Sequence, residues 1–322
     1  MPLTRFDRRR RTIKPLSFSR VSDYLRCPLY YRLRYVDGLK PKDRWYLSFG
    51  STLHLCAEHF FRVSAPPPSP METLLEFYRA NWIPDGYESG DEELKYRAYG
   101  EAILKDFWGL HARDFRVPVA VEKHFLIDID GVKFTGRIDR VDRLPGGGLG
   151  IVDYKTNREL FTSDYLAKDL QLSLYQSAVQ EMWRLPVASL TLYHLRSNTP
   201  CTCPPRDRAE IESARALVAE VAGKIAAGRF PATEREYCPC DFARLCPYHS
   251  DRYEPPTQPA LPGFSAVEMV ESYVSLQKQI KELEAKLDEI KAAIIAYCQA
   301  QGVQRVYGEK HAVPDGGKDE LR

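Results

Sequence analysis

The sequence lacks features that would narrow its function at once. No apolar run approaches the roughly 18 to 20 residues of a membrane-spanning helix, and the amino terminus has no apolar core typical of a secretory signal. Charge of one sign is not in excess, because 46 Lys and Arg face 44 Asp and Glu, a net charge of +2. We therefore expect a cytoplasmic protein without a membrane partner, in which any surface that binds nucleic acid is local.

A Walker-type GxxxxGK[ST] phosphate loop is also absent, which argues against ATP-driven unwinding by this chain. What the sequence does have is enough apolar residues, 44% of 322, to bury a sizeable core. It also has eight cysteines. In a cytoplasmic chain of this length they indicate metal ligands or buried thiols rather than a disulfide framework.

Four segments are predicted along the chain. Residues 1–15 form a basic tail that either contacts phosphates or stays solvated, and residues 16–250 form the main domain. The Pro-rich stretch 251–264 is a stiff linker, and residues 265–322 form a charged helix and tail. Apolar residues of that helix follow a heptad spacing, which suits either packing on the main domain or self-association: Tyr273, Leu276, Ile280, Leu283, Leu287, Ile290 and Ile294.

Local patterns predict a mixed α/β core with a helical amino-terminal part. Helical spacing of apolar residues predicts four helices in the first third, over residues 19–36, 47–63, 71–81 and 91–114. The period then changes to two, which predicts three strands between residues 119 and 156. A helix, a strand and a helix follow, over residues 167–183, 188–195 and 207–227.

The strongest chemical signal is the pair of segments GRIDRVD (136–142) and IVDYKT (151–156). Asp153 and Lys155 are two residues apart on a predicted strand, so both side chains lie on one face, and Asp139 can lie opposite them across the hairpin. Carboxylates bind Mg²⁺ or Mn²⁺, which polarises a phosphate and lowers the pKa of bound water. An isolated D-x-K is usually a charged surface hairpin, but the apolar flanks here favour a buried catalytic site.

Two residues of the following predicted helix extend this site. Gln171 and Tyr175 are four residues apart and therefore share a helical face. A Gln and a Tyr at this spacing are often just helix surface and core edge. Next to the carboxylates, the Gln can reach the metal site and the Tyr can contact phosphate or stack on a base.

These segments resemble the successive motifs of a known family. GRIDRVD, IVDYKT and QLSLYQ are similar to motifs of RecB-like PD-(D/E)XK nucleases, with an Asp where others carry Glu, and LSFSRVSDYLRCPLYYRLRYV and FGSTLHLCAEHFF are similar to the opening motifs. The resemblance covers roughly residues 16–250. It implies a restriction-endonuclease-like mixed sheet core flanked by helices, and the heptad helix beyond the linker is predicted from its own spacing as a separate C-terminal element.

The resemblance also implies an activity. It suggests a metal-dependent exonuclease acting on DNA ends in repair, recombination or CRISPR-type processing, as in CRISPR-associated RecB-like exonucleases and the nuclease domains of bacterial recombination helicases. The expected partners are single-stranded or frayed DNA ends and a separate helicase or integrase. The alternative is a catalytically silent DNA-binding or assembly module of the same fold, against which intact Asp139, Asp153 and Lys155 argue.

The resemblance adds a metal ligand. His54 in FGSTLH matches the histidine that binds the catalytic metal beside the two aspartates, whereas without this motif it would be an ordinary helix histidine. His59, five residues on, lies off that face. Glu122 on the first strand could orient Lys155 or be a solvated charge.

The cysteines form a second constellation, Cys27 with Cys238, Cys240 and Cys246. Four thiolates from the two ends of a domain can hold a 4Fe-4S cluster or a zinc ion, and the resemblance implies the cluster. The pair at 238 and 240 is CxC where the family has CxxC, which puts Cys238 in question.

The other four cysteines have simpler interpretations. Cys201 and Cys203 are either a competing ligand pair or two exposed thiols in a loop. Cys56 and Cys298 occupy apolar helical positions and are predicted to be core residues.

Overall fold

The structure is a computed structural model that describes residues 14–235, 238, 240–250, 266–301, 303, 305–308, 311–314 and 320–321. It divides into two units, Met1–Glu254 and Pro255–Arg322. The arginines of the predicted basic tail and the predicted Pro-rich linker lie outside the described residues. Among the helices of the described part, none combines the length and apolarity needed to cross a membrane.

The first unit begins with a broken helix. Helix α1 (Phe18–Arg26) is capped by Ser17, whose side chain accepts from the Arg20 N–H, and α2 (Pro28–Tyr31) runs on into a π-helical turn (Arg32–Val36). The prediction of one continuous helix over 19–36 was wrong. Cys27 is extended, with φ −162° and ψ 108°, because Pro28 disfavours a helical conformation in the residue before it.

Three longer helices follow: α3 (Trp45–Phe61), α4 (Met71–Ala80) and α5 (Gly90–His111). Each starts or ends within three residues of its predicted bound. The proline cluster after α3 prevents its continuation, as the sequence indicated.

A five-stranded mixed sheet of order β1-β2-β3-β4-β5 forms the centre. Its strands are β1 (Ala120–Ile129), β2 (Val132–Arg143), β3 (Leu149–Lys155), β4 (Val187–His194) and β5 (Thr199–Cys203). The pairs β1–β2, β2–β3 and β4–β5 are antiparallel, and β3–β4 is parallel. The parallel pair needs a crossover, which α6 (Ser163–Ala167) and α7 (Leu170–Trp183) provide before α8 (Arg208–Ala226) closes the unit.

Helices cover both faces of the sheet. One face packs its core against α1, α7 and α8, and includes Ile138 and Ile151. The other face packs against α3, α4 and α5, and includes Val152 and Tyr154. The alternation of Ile151 and Val152 between the two cores follows from the two-residue period of a strand. This confirms the predicted mixed α/β core flanked by helices.

Strand β5 corrects one expectation. Cys201 and Cys203 do not lie in an exposed loop but on this edge strand, opposite Leu192 and Leu190 of β4. Both side chains are partly buried against the core. The prolines around them hid the strand, because an edge strand tolerates Pro where a central strand does not.

The second unit contains α9 (Ala266–Gln301), which covers the predicted heptad, and a small antiparallel sheet of order β6-β7-β8. Its strands are β6 (Arg305–Tyr307), β7 (His311–Pro314) and β8 (Glu320–Leu321). Heptad positions such as Tyr273, Leu283 and Ile290 are exposed along α9. Cys298 is buried, as is Cys56 of α3, in line with their predicted core positions.

Candidate active site

The two aspartates meet where β2 and β3 separate. Pairing between the strands ends at Arg140 and Val152, and one further step in the same register sets Asp139 opposite Asp153. Both carboxylates are buried. The Tyr154 N–H donates to Asp139 Oδ2 over 2.7 Å, so the end of β3 itself holds this carboxylate in place.

Lys155 belongs to the same group. Its Nζ lies 2.5 Å from Asp153 Oδ2 and donates to Gln171 Oε1 over 2.8 Å. The Gln171 Nε2 in turn donates to Asp153 Oδ1 at 2.9 Å and to Tyr175 Oη at 2.8 Å. The structure thus brings together the five residues that the sequence singled out on these elements, Asp139 included.

Tyr175 lies deeper than the sequence suggested. Its ring is buried, packs edge-on against Phe125, and approaches Gly136 from below the sheet. The hydroxyl donates to the Arg137 carbonyl oxygen at 2.7 Å. The side chain therefore positions Gln171 and the β2 backbone rather than presenting its ring to a base.

The charges of the site favour an added cation. Burial, reinforced by the nearby charge of Asp153, raises the pKa of Asp139 well above its usual value. Burial opposes the charge on Lys155, but attraction and hydrogen bonding to Asp153 outweigh it and raise the pKa of the lysine. One ammonium thus faces two carboxylates in a buried place, an arrangement that a further positive charge would stabilise.

His54 reaches the site from α3. Its Nδ1 lies 3.5 Å from Asp139 Oδ2, and its ring meets Tyr154 edge-on. Burial lowers the pKa of His54 to about 4, so at neutral pH the imidazole is uncharged and can offer a lone pair to a metal. His59 instead stacks on Phe77, away from the site.

Glu122 is the residue whose place the sequence reasoning missed. It lies opposite Asp139 in the β1–β2 register, and ligand atoms of His54, Glu122 and Asp139 all lie within 4.8 Å of one another. Its φ of +49° is unusual for a residue with a side chain and is typical of functional sites. Its carboxylate, whose pKa burial raises, pairs with Arg137 at 3.2 Å and is not among the hydrogen-bonding partners of Lys155.

The turn before β2 carried the signal for Glu122. Asp130 and Gly131 both have positive φ, 51° and 82°, as a two-residue hairpin turn of type I′ requires. Such a turn sets the register of the whole hairpin. Counting back from it pairs Glu122 with Asp139, so the sequence alone could have placed this carboxylate in the site.

Arg140 supports the aspartates from the opposite face of the sheet. It is buried and donates to the Tyr154 hydroxyl at 2.8 Å and to Asp142 at 3.1 Å, while its guanidinium lies 4.2 Å from the Phe61 ring centroid. A buried Arg is stable only when paired in this way. The contacts tie β2 to β3 next to the point where Asp139 and Asp153 meet.

The close approach of α3 to β3 depends on Gly50, one helical turn before His54. A Cβ built on Gly50 would lie 2.6 Å from Thr156 Oγ1, just beyond the end of β3. Gly109 of α5 offers a matched helical position, since a Cβ there would meet nothing within 4 Å.

Gly50→Ala is therefore expected to lower the free energy of unfolding by about 1–3 kcal/mol, although Ala is the better helix former. It should also weaken the metal binding that the sequence predicts for His54, because α3 carries this residue. Gly109→Ala should be neutral or stabilise by up to about 1 kcal/mol. Denaturant unfolding and calorimetry with Mn²⁺ measure both effects, and equal behaviour of the two variants would contradict the role given to Gly50.

An open cleft of about 450 Å³ lies beside the candidate site. Its walls include His54, Glu122 and Asp139, with Arg137 at one side and Tyr46 and Leu47 of α3 at the other. The cleft thus gives a molecule from solvent access to Glu122, Asp139 and the His54 imidazole.

The four predicted cysteine ligands also come together, around a second cavity of about 340 Å³. Cys27 reaches it from the α1–α2 break, and Cys238, Cys240 and Cys246 reach it from the segment after α8. The Phe242 N–H donates to Cys240 Sγ at 3.4 Å. Cys201 and Cys203 do not line this cavity.

Known proteins resemble this chain in sequence. A subunit of the ATP-dependent helicase/deoxyribonuclease of Clostridium acetobutylicum is 28% identical over 207 residues, which are 52% of this chain and 18% of that protein. The chain thus spans less than a fifth of the length of this relative. The gene 69 protein of Mycobacterium phage D29 is 26% identical over 265 residues, 72% of this chain and 96% of the phage protein.

A solved structure and a family model match as well. The crystal structure of a candidate exonuclease from Eubacterium rectale aligns with a TM-score of 0.45 and 12% sequence identity, covering 71% of this chain and 87% of that one. The family model matches residues 15–250, which contain every residue of the site described above. The chain belongs to the PD-(D/E)XK nuclease superfamily.

Proposed function

We propose that this protein is a metal-dependent DNA nuclease that hydrolyses phosphodiester bonds at DNA ends as an exonuclease. The observation that carries the proposal is the meeting of buried Asp139 and Asp153 with Lys155, next to an open cleft that Asp139 lines. A buried group of this kind is unfavourable for folding alone, so its presence points to chemistry.

The donor set fits Mg²⁺ or Mn²⁺. We assign Asp139, Asp153 and His54 as the residues that hold the ion, with Glu122 as a further carboxylate. Ligand atoms of His54, Glu122 and Asp139 lie within 4.8 Å of one another, and Asp153 lies opposite Asp139 in the strand register. Hard oxygen donors with one neutral imidazole suit these ions. When bound, the ion polarises the scissile phosphate and lowers the pKa of the attacking water.

The protein groups supply the rest. Lys155, kept protonated by Asp153, places an ammonium where negative charge grows on the phosphate and can orient the attacking water. Gln171 holds the Lys155 and Asp153 side chains through one amide, and Tyr175 fixes that amide. The site is thus preorganised, which reduces the reorganisation needed during the reaction.

The four cysteines that line the second cavity can hold a 4Fe-4S cluster or a zinc ion, and the cluster is the one that the family resemblance implies. We assign Cys27, Cys238, Cys240 and Cys246 as the ligands of a structural cluster that joins the two ends of the domain.

The cluster segment is also linked to the active-site helix. Arg44, the N-cap residue of α3, forms an ion pair with Asp241, which lies between Cys240 and Cys246. Loss of the cluster should therefore loosen α1 and the start of α3 before it alters the aspartates.

Cys27→Ala is expected to lower the iron content and the melting temperature, since removal of a structural metal site lowers stability. Iron analysis and visible absorption of anaerobically purified protein measure the first effect. Cys201→Ala is the matched control, because Cys201 lies outside the cavity. Unchanged iron in Cys27→Ala, or a loss of iron in Cys201→Ala, would contradict the ligand assignment.

The same proposal includes a separate helicase as a possible partner of this nuclease. The chain has no phosphate loop of the Walker type, and one of its relatives is a subunit of an ATP-dependent helicase/deoxyribonuclease. We propose that the nuclease digests frayed or single-stranded ends, alone or with a separate helicase or integrase.

One experiment tests the activity. End-labelled single-stranded, duplex and circular DNA are offered with Mg²⁺, with Mn²⁺ and with EDTA. Degradation of linear DNA, inhibited by EDTA, is the expected result. Cutting of circular DNA would indicate an endonuclease, cutting in EDTA would overturn the metal assignment, and binding without any cutting would indicate a silent module.

A further inference from the structure

We infer that the strand being cut is single-stranded and leaves the catalytic cleft across Tyr46 and Leu47, with the Tyr46 ring as a stacking surface for a base. The inference rests on the proposed nuclease function and adds a substrate path to it. Neither residue belongs to the motifs that the sequence singled out as catalytic.

The two cavities share a wall. Tyr46 and Leu47 line both the cleft that holds His54 and Asp139 and the cavity that holds the four cysteines. A strand that leaves the catalytic cleft on the side of the cysteine cavity must therefore cross these two side chains.

Both side chains are exposed at the surface. Tyr46 is 49% and Leu47 59% exposed, on the first turn of α3. Tyr46 packs against other aromatic rings. The Trp45 ring contacts Tyr46 edge-on, with 5.8 Å between ring centroids, and the Trp45 centroid lies 4.2 Å from that of Tyr96. An exposed aromatic ring on a rigid base is a platform for an unpaired base.

The charge around the second cavity fits a phosphate backbone. Arg26 and Arg34 pair with Asp23, and Arg44 pairs with Asp241, and the five cations that line the cavity outnumber these two carboxylates: Arg26, Arg34, Lys42, Arg44 and Arg235. On the other side of Tyr46 and Leu47, exposed Arg137 borders the catalytic cleft. Cations on both sides of Tyr46 and Leu47 can bind phosphates while a base contacts these two side chains.

The combination selects single strands over duplex DNA. The Tyr46 ring can contact the face of a base only if that base is unstacked, and bases inside a duplex present edges rather than faces. A frayed or single-stranded end meets this condition without further energy for unpairing.

Binding is tested with the full-length protein in EDTA, where no cutting is expected. A single-stranded oligonucleotide carrying 2-aminopurine reports stacking through its fluorescence, and anisotropy gives the Kd. Tyr46→Ala should weaken binding about 5- to 150-fold, as expected for loss of one stacked base, and should abolish the 2-aminopurine signal. Tyr46→Phe, which keeps the ring, should restore both.

Tyr165→Ala is the matched control, because Tyr165 is 54% exposed but lines neither cavity. In cleavage assays Tyr46→Ala should raise KM for single strands with kcat within about twofold of the wild type, since stacking is made before and during the reaction alike. Unchanged Kd and fluorescence in Tyr46→Ala, or equal losses in Tyr165→Ala, would overturn the path.

The failures of the two proposals can be told apart. If the wild type cuts DNA but Tyr46→Ala binds normally, the path is wrong and the nuclease proposal stands. If the wild type does not cut but binds single strands through Tyr46, the path stands and the nuclease proposal is wrong.

Discussion

Lys155→Ala should reduce DNA cleavage by about 10³-fold while DNA binding stays within a few-fold of the wild type. The reason is that the ammonium acts on charge that develops only during phosphate attack, and removal of one such group typically lowers kcat by about 10²- to 10³-fold. In the structure the Lys155 ammonium contacts Asp153 and Gln171.

Single-turnover cleavage of a labelled oligonucleotide measures this effect, and anisotropy in EDTA measures binding. Lys105→Ala, at an exposed position of α5, controls for general loss of charge. Removing Lys155 also leaves the buried Asp153 without its ion-pair partner, so unfolding is followed in parallel. A folded Lys155→Ala variant that still degrades DNA with Mg²⁺ or Mn²⁺ would show that the active site is elsewhere.

Asp139→Asn should separate stability from metal binding. The Asn keeps an acceptor for the Tyr154 N–H but removes a buried charge that lies close to Asp153. Because burial and Asp153 raise the pKa of Asp139, its ionisation destabilises the metal-free fold. The metal-free variant should thus be more stable than the wild type at neutral pH.

The sign follows from linkage. A carboxyl group whose pKa is raised in the folded state contributes stability below its unfolded pKa of about 3.9 and loses it as the pH rises through the folded pKa. The advantage of Asp139→Asn should therefore vanish in acid and grow as the pH rises.

Bound Mn²⁺ should make the wild type more stable than Asp139→Asn. At a concentration of Mn²⁺ about 100 times the Kd, the free energy of unfolding of the wild type should rise by about 2.7 kcal/mol. The variant lacks one of the proposed metal ligands, so its free energy of unfolding should rise little. Melting curves with and without Mn²⁺ over a pH series measure this. Equal stabilisation of both proteins by Mn²⁺ would remove Asp139 from the ligand set, and a metal-free variant less stable than the wild type would contradict the electrostatic argument.

Much of the candidate site was predictable because its spacings are local. Asp153 and Lys155 share a face through the two-residue period of β3, and Gln171 and Tyr175 share one through the helical period of α7. The catalytic roles of these residues remain predictions that the variants above test.

The errors had local causes as well. The break before Pro28 and the hairpin partner of Glu122 were both encoded in short-range signals, a proline and a two-residue turn. Strand β5 was hidden by its prolines, which only its edge position tolerates.

By itself the sequence determined the mixed α/β core, the pairing of acidic and basic residues on two neighbouring strands and the helix beside them, because each depends on periods of a few residues. Only the tertiary structure decided that Gly50 faces Thr156, that His54 approaches Asp139 and that Cys27 and Cys246 line one cavity. It alone also decided that Tyr46 separates two cavities. These relations join segments far apart in the chain, and they are set by how helices pack on the sheet, which no local pattern records.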